Sequence, residues 1–227
     1  MNQTKVNKLL VVVVVFLIVS LTYIWFVRKE KSGIPSTNTS VTSELSYAPN
    51  EWKTWTDNFY TESSGENFSY ELRYPRDFDA LGGESAFGGF IGTNYVNLAF
   101  PKDAFQTPKT NYGEAYLAIS VGTDKLSLDG CYENPKTGKQ FSDTELINGT
   151  LFHTGSIQDF AAGNIYDSKI YRVLVDVRCL EIARTIHTSN ISNYPAGTVT
   201  EFDQANAISV LDQMIGTLTV ANSTKTP

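Results

Sequence analysis

His153 and His187 are the only imidazoles in this chain. With a carboxylate such as Glu181 or Asp176 they are the residues that could bind zinc or move a proton. Hydrolytic zinc sites commonly carry the His-Glu-x-x-His spacing, in which one helical turn presents both ligands, and that spacing does not occur. An extracytoplasmic hydrolase or metal-binding enzyme acting through His153 or His187 therefore stands as the alternative reading rather than the leading one.

The other chemistry-bearing motifs are incomplete. Gly83-Glu84-Ser85-Ala86-Phe87 starts like a nucleophile elbow but lacks its closing glycine and its strand-to-helix setting. The surrounding glycines do not end in Gly-Lys-Ser/Thr, and Thr137-Gly138-Lys139-Gln140 has no glycine-rich approach to a phosphate. Asp77, Asp79 and Glu84 do not follow the calcium-loop spacing. The expectation is a domain with no catalytic, cofactor or metal site. A formal charge of −6 leaves no broad cationic surface, so nucleic acid is not expected as a partner.

Cys131 and Cys179 are the only cysteines. A lone pair in an otherwise thiol-free domain is what an oxidising compartment keeps. A disulfide between them would close a long loop worth about 4 kcal/mol in the chain-entropy account; two buried free thiols are the other reading.

These residues must be positioned by elements that the pattern partly reveals. Phe68 to Pro75 alternates apolar and polar and ends at proline, as a half-buried strand does. Asn94–Phe100 and Glu114–Val121 read as further strands, and 81–92 as a glycine-rich loop. Asn148-Gly149 between β-prone flanks predicts a two-residue hairpin. Tyr166–Val175 and Arg178–Thr188 form a second strand pair about an Asp176-Val177 turn. In the latter strand Cys179, Glu181, Ala183, Thr185 and His187 share one face. Thr198-Val199-Thr200-Glu201 predicts a capping box opening a helix over Phe202 to Ile215, with Gly216 ending it and a short edge strand after it. Few helices and many meandering strands give an α+β class built on an antiparallel sheet. The aromatics Trp52, Trp55, Phe59 and Tyr60 are expected in the core, leaving Phe87, Phe90 and Tyr194 as a contact surface.

Ahead of the domain, residues 9–27 carry no charge and as a helix would measure about 29 Å, the thickness of a bilayer core. Tyr23 and Trp25 sit at one end, where aromatic rings favour the interface. The run ends without a small-x-small site and without a following cysteine, so an uncleaved, unlipidated signal-anchor is expected. Residues 1–8 would be a short cytoplasmic tail, 28–50 a flexible stalk, 51–221 the extracytoplasmic domain and 222–227 a tail. Flanking lysines and arginines are nearly balanced; placement of the domain outside rests on its size and on the cysteine pair.

The strand ending in Tyr74-Pro75, the later meander, Cys179-Leu180-Glu181-Ile182, the Asn190 to Pro195 loop and the closing helix to Gly216 resemble PsbP-like domains, in particular bacterial membrane-anchored ectodomains of that type. The resemblance implies an antiparallel sheet flanked by helices. It also implies a non-enzymatic role in binding or assembly, with an envelope protein or glycan as partner.

Overall fold

Long stretches of period-two alternation decide this architecture, and they leave little chain for helix. The computed structural model describes residues 47, 49–61, 66–82, 91–105 and 109–224, all within one unit, Glu44–Pro227. They contain strands β1 (Lys53–Thr61), β2 (Glu66–Tyr74), β3 (Asp79–Gly82), β4 (Thr93–Ala99), β5 (Tyr112–Gly122), β6 (Asp143–Ile147), β7 (Thr150–Ala161), β8 (Asn164–Val175), β9 (Arg178–Ser189) and β10 (Thr219–Thr224). Helix α1 (Lys125–Asp129) lies between β5 and β6, and α2 (Ala205–Ile215) precedes β10.

Two antiparallel sheets result, one of three strands in the order β1-β2-β10 and one of seven in the order β3-β4-β5-β9-β8-β7-β6. Leu117, Ile119, Leu180, Ile182, Tyr171 and Phe152 point from the larger sheet into one apolar cluster with Phe68, Tyr70 and Leu72 of β2 and Leu211 and Met214 of α2. Trp52, Trp55 and Phe59 are partly buried against the same cluster. Tyr47 meets Phe78 and Phe100 edge-on, so the folded unit reaches back beyond residue 51.

The expectation of an α+β sheet flanked by helices is corrected by this arrangement: the fold is β-rich. Among the described residues the two α-helices span five and eleven residues, whereas β7, β8 and β9 run twelve each. The β-branched and aromatic residues of β5 to β9 fill both faces of a wide sheet, and α2 lies on only one of them. The transmembrane helix expected over 9–27 and the stalk to residue 46 fall outside the described residues. Among the described residues no helix is long and apolar enough to cross a membrane.

Local chemistry explains the boundaries. Asn148 and Gly149 take positive φ of 45° and 86°, which the two-residue hairpin needs and which Asn and Gly supply at least cost. Asn148 Nδ2 also donates to the carbonyls of Gly216 and Leu218, each at 2.9 Å, tying the hairpin to the end of α2. The capping box does not form. Thr198 Oγ1 donates instead to the carbonyl of Pro195, and the Phe202 amide donates to Asn111 Oδ1 at 2.7 Å, drawing the ring into the core. The helix starts later, where Asp203 Oδ1 accepts the Ala205 amide. Gly216 ends it as expected.

Candidate contact surface

The face of the seven-stranded sheet turned away from α2 is also largely buried, and it is mixed. A smaller apolar cluster of Tyr116, Ala118, Phe141, Ile157, Ile170 and Ala183 adjoins buried polar side chains, which give this polar face its distinctive chemistry. On it, Arg172 of β8 lies opposite Glu181 of β9, both almost fully excluded from solvent. Arg172 Nε donates to Glu181 Oε2 at 2.7 Å, and Nη2 lies 2.6 Å from the same oxygen. Nη1 reaches up to the carbonyl oxygens of Gly130, Cys131 and Glu133. One buried guanidinium thus holds the segment that follows α1 down on the sheet.

The disulfide does the same. Cys131 in that segment is bonded to Cys179 of β9, with a Cα–Cα distance of 5.6 Å and both residues buried. Tyr132 accepts the amide of Leu174 at 3.1 Å, and the Phe141 ring lies so close to Gly155 that a side chain there would collide with it. Gly155 is glycine because the ring occupies its Cβ position. A cavity of about 670 Å³ opens beside α1, with Asp124, Ser127, Glu133, Asn134 and Arg172 in its wall. Its charges are largely committed: Arg172 as above, and Asp124 as acceptor from the amide and hydroxyl of Ser127. That capping holds the Asp124 carboxyl below its ordinary value.

The two histidines do not converge. His153 lies across from Arg172, which lies across from Glu181; His187 is six residues further along β9, about 20 Å away at strand rise. His187 stacks on Tyr166 at 4.3 Å and 11°, with Nδ1 3.3 Å from Glu114 Oε1. His153 packs on Tyr132 at 4.0 Å. Asp176 sits in the β8–β9 turn and pairs with Arg178. The set His153, His187 and Glu181 or Asp176 is therefore not assembled. Among the described residues no three His, Cys, Asp or Glu side chains are grouped to hold a metal ion.

Of the contact residues expected from sequence, Phe87 and Phe90 lie outside the described residues. Tyr194 is half-buried in the turn after β9. A surface that sequence reading missed lies at the opposite end of the β7–β8 hairpin. Leu146 of β6 pairs directly with Leu151 of β7. Leu151 and Leu174 are each two residues beyond the His153–Arg172 pair, so alternation puts them side by side on the same face. The three leucines are 69%, 53% and 42% exposed, in a row that ends at the free edge of the sheet. The signal was present: in a two-residue Asn-Gly hairpin the second residue out on each side pairs with its counterpart, which makes Leu146 face with Leu151.

No family model matches the chain, and no curated protein matches it. A crystal structure of a protein from Bacteroides thetaiotaomicron is similar at 12% identity, over 72% of this chain and 48% of that one, with a TM-score of 0.37. This chain spans about half the length of that protein. A likeness of that degree carries no argument about function, and it draws no connection to PsbP-like domains.

Proposed function

We propose that this chain is a single-pass membrane-anchored protein whose β-rich domain, outside the cytoplasm, acts as a non-enzymatic binding or assembly module. The observation that carries the reading is the leucine row of Leu146, Leu151 and Leu174 at an open sheet edge. Contiguous apolar surface of this kind mediates contact with a partner. The charge-free run at 9–27 supplies the anchor and 28–50 the stalk. The cysteine pair, bonded in the fold, is what an oxidising compartment sustains. The envelope protein or glycan expected as partner would meet the domain at this edge.

Photo-crosslinking in intact membranes tests it. A photoreactive residue at Leu146 or Leu151 should give a discrete adduct, and one at exposed Lys125 should not. Equal or absent labelling at all three positions removes the reading. Protease added to unbroken cells should digest the domain; full protection would place it inside.

A further inference from the structure

We infer that the β6 edge accepts an extended segment of a partner protein by strand addition, apolar side chains alternating with lysine or arginine; this rests on the reading of that edge as the contact surface. The backbone comes first. Ile147 and Thr150 flank a two-residue turn, and such flanking residues are a hydrogen-bonded pair. Bonding to β7 therefore falls on Ile147, Glu145 and Asp143, and the N–H and C=O groups of Thr144 and Leu146 point away from it. Among the described residues β6 is the last strand of its sheet. Its sequence, Asp-Thr-Glu-Leu-Ile, contains neither lysine nor proline, and its pairing with β7 has no register shift. Lysine, proline and a bulge, three of the protections of an edge strand, are thus missing. The charges it does carry, Asp143 and Glu145, disfavour an acidic or identical strand and leave a basic one admissible.

The two sides of β6 then specify the guest. On one side is the leucine row, which takes apolar side chains. On the other is a groove of about 210 Å³ between β6 and α2, lined by Glu145, Ile147, Tyr171, Asp212 and Ile215. Glu145 Oε2 is held by Lys169 at 2.8 Å and Asp212 Oδ1 by Arg184 at 2.5 Å. The other oxygen of each carboxylate is left to a further cation, since a carboxylate accepts at both oxygens. Both side chains are 45% exposed. A strand places successive side chains on opposite faces, so a guest alternating apolar and basic residues satisfies the row and the groove together. A second copy of this chain fits less well. Antiparallel pairing of two β6 strands through Thr144 and Leu146 sets Glu145 against Glu145, a like-charge pair.

The test uses the full chain in phosphatidylcholine nanodiscs and a short fluorescent peptide of alternating valine and lysine. It should bind saturably and about tenfold more tightly than a block-ordered isomer of the same composition or a valine–glutamate peptide. Thr144→Pro removes an outward amide without touching the β7 ladder and should abolish the binding. A peptide N-methylated along its β6-facing edge should also fail, which keeps the test decisive if the proline variant does not fold. Equal binding of the block isomer, or full binding of the N-methylated peptide, overturns the inference. So does light scattering that shows a dimer dispersed by Thr144→Pro, which would assign the edge to a second copy. If position 146 crosslinks a partner while the alternating peptide shows no preference, strand addition fails and the contact-surface reading stands.

Discussion

The two faces of the seven-stranded sheet are built from the same strands and stabilised in different ways. Toward β2 and α2, Leu117, Ile119, Leu180 and Ile182 are fully buried in an apolar cluster, where burial alone contributes about 25 cal/mol per Å² and exact partners matter little. Toward the loop after α1, a smaller apolar cluster including Tyr116, Ile170 and Ala183 is interleaved with buried Arg172, Glu181, Ser168 and Thr185, and each of these four polar side chains needs a specific partner. Glu181 has the Arg172 guanidinium, and Ser168 and Thr185 share a hydrogen bond of 2.8 Å. The apolar face is robust to small errors of fit. The polar face is satisfied only when the loop has arrived, because three of Arg172's acceptors are loop carbonyls. That is the physical reason for a disulfide at this place: it ties the loop to the sheet that depends on it.

The contrast is broken most directly at Glu181. Glu181→Ala leaves the buried guanidinium without its carboxylate and should cost up to about 5 kcal/mol in denaturant unfolding. Replacing both partners, Arg172→Met with Glu181→Leu, should recover most of that loss; what remains measures the loop carbonyls left without a donor. If the double variant is as damaged as the single, the pair is not the element that distinguishes this face. Next in size, Cys131→Ser with Cys179→Ser should lower stability by about 4 kcal/mol. Hydrogen exchange should then rise first in 123–142 and later in β5 and β9. Uniform exchange across the sheet would show that the loop is not the coupled element.

The two faces also differ in how far the sequence reveals them. Alternation along 178–188 divides β9 correctly between its faces, Asn148-Gly149 marks the hairpin, and Gly216 marks the end of α2, because these are local signals carried by side-chain period and by φ. Partnership is not local. The Asp176-Val177 turn sets Arg172 opposite Glu181 by register, but nothing near Arg172 in sequence indicates that it will also meet the carbonyls of Gly130, Cys131 and Glu133 some forty positions back. The capping box at Thr198 to Glu201 misleads for a related reason. Asn111, distant in sequence, offers the Phe202 amide an acceptor at 2.7 Å, and tertiary bonding overrides the local motif. Few helices among many strands read as α+β, and the resemblance adds flanking helices; both expectations fail because α1 and α2 span only five and eleven residues beside strands of up to twelve. Of the contact surface, the Leu146–Leu151 pairing follows from hairpin register, but its exposure depends on β6 being an edge, which no local pattern encodes.

The apolar face should answer differently to truncation. Leu117→Ala creates a cavity worth about 3 kcal/mol, and Leu117→Met, which conserves volume, should cost less than about 1.5 kcal/mol. On the polar face even an added methyl is resisted: Gly155→Ala sets a Cβ against the Phe141 ring and should cost about 2 kcal/mol. Gly155→Ala with Phe141→Leu should restore part of it. A neutral Gly155→Ala would mean that the ring moves freely and the loop is not clamped there.

The smallest effect sharpens the comparison by pH. Burial pushes the Tyr116 phenol from 10.0 up to about 12; its hydrogen bond with Thr185 opposes the shift, and the charges at Glu114 and Tyr166 add to it. The folded state therefore favours the neutral phenol. Below pH 10 the tyrosine is protonated in both states and its contribution is fully present. Between pH 10 and about 12 the unfolded chain releases the proton and the folded chain does not, so stability falls as pH rises through that window. Tyr116→Phe should be less stable than the parent at pH 8, where it loses the Thr185 hydrogen bond, by about 1 kcal/mol. The difference should shrink or reverse by pH 11, because phenylalanine has no proton to lose. Leu117→Ala, on the adjoining residue but the opposite face, should keep a constant deficit across the same range. Parallel pH curves for the parent and Tyr116→Phe would show that this phenol is not held neutral by the polar face.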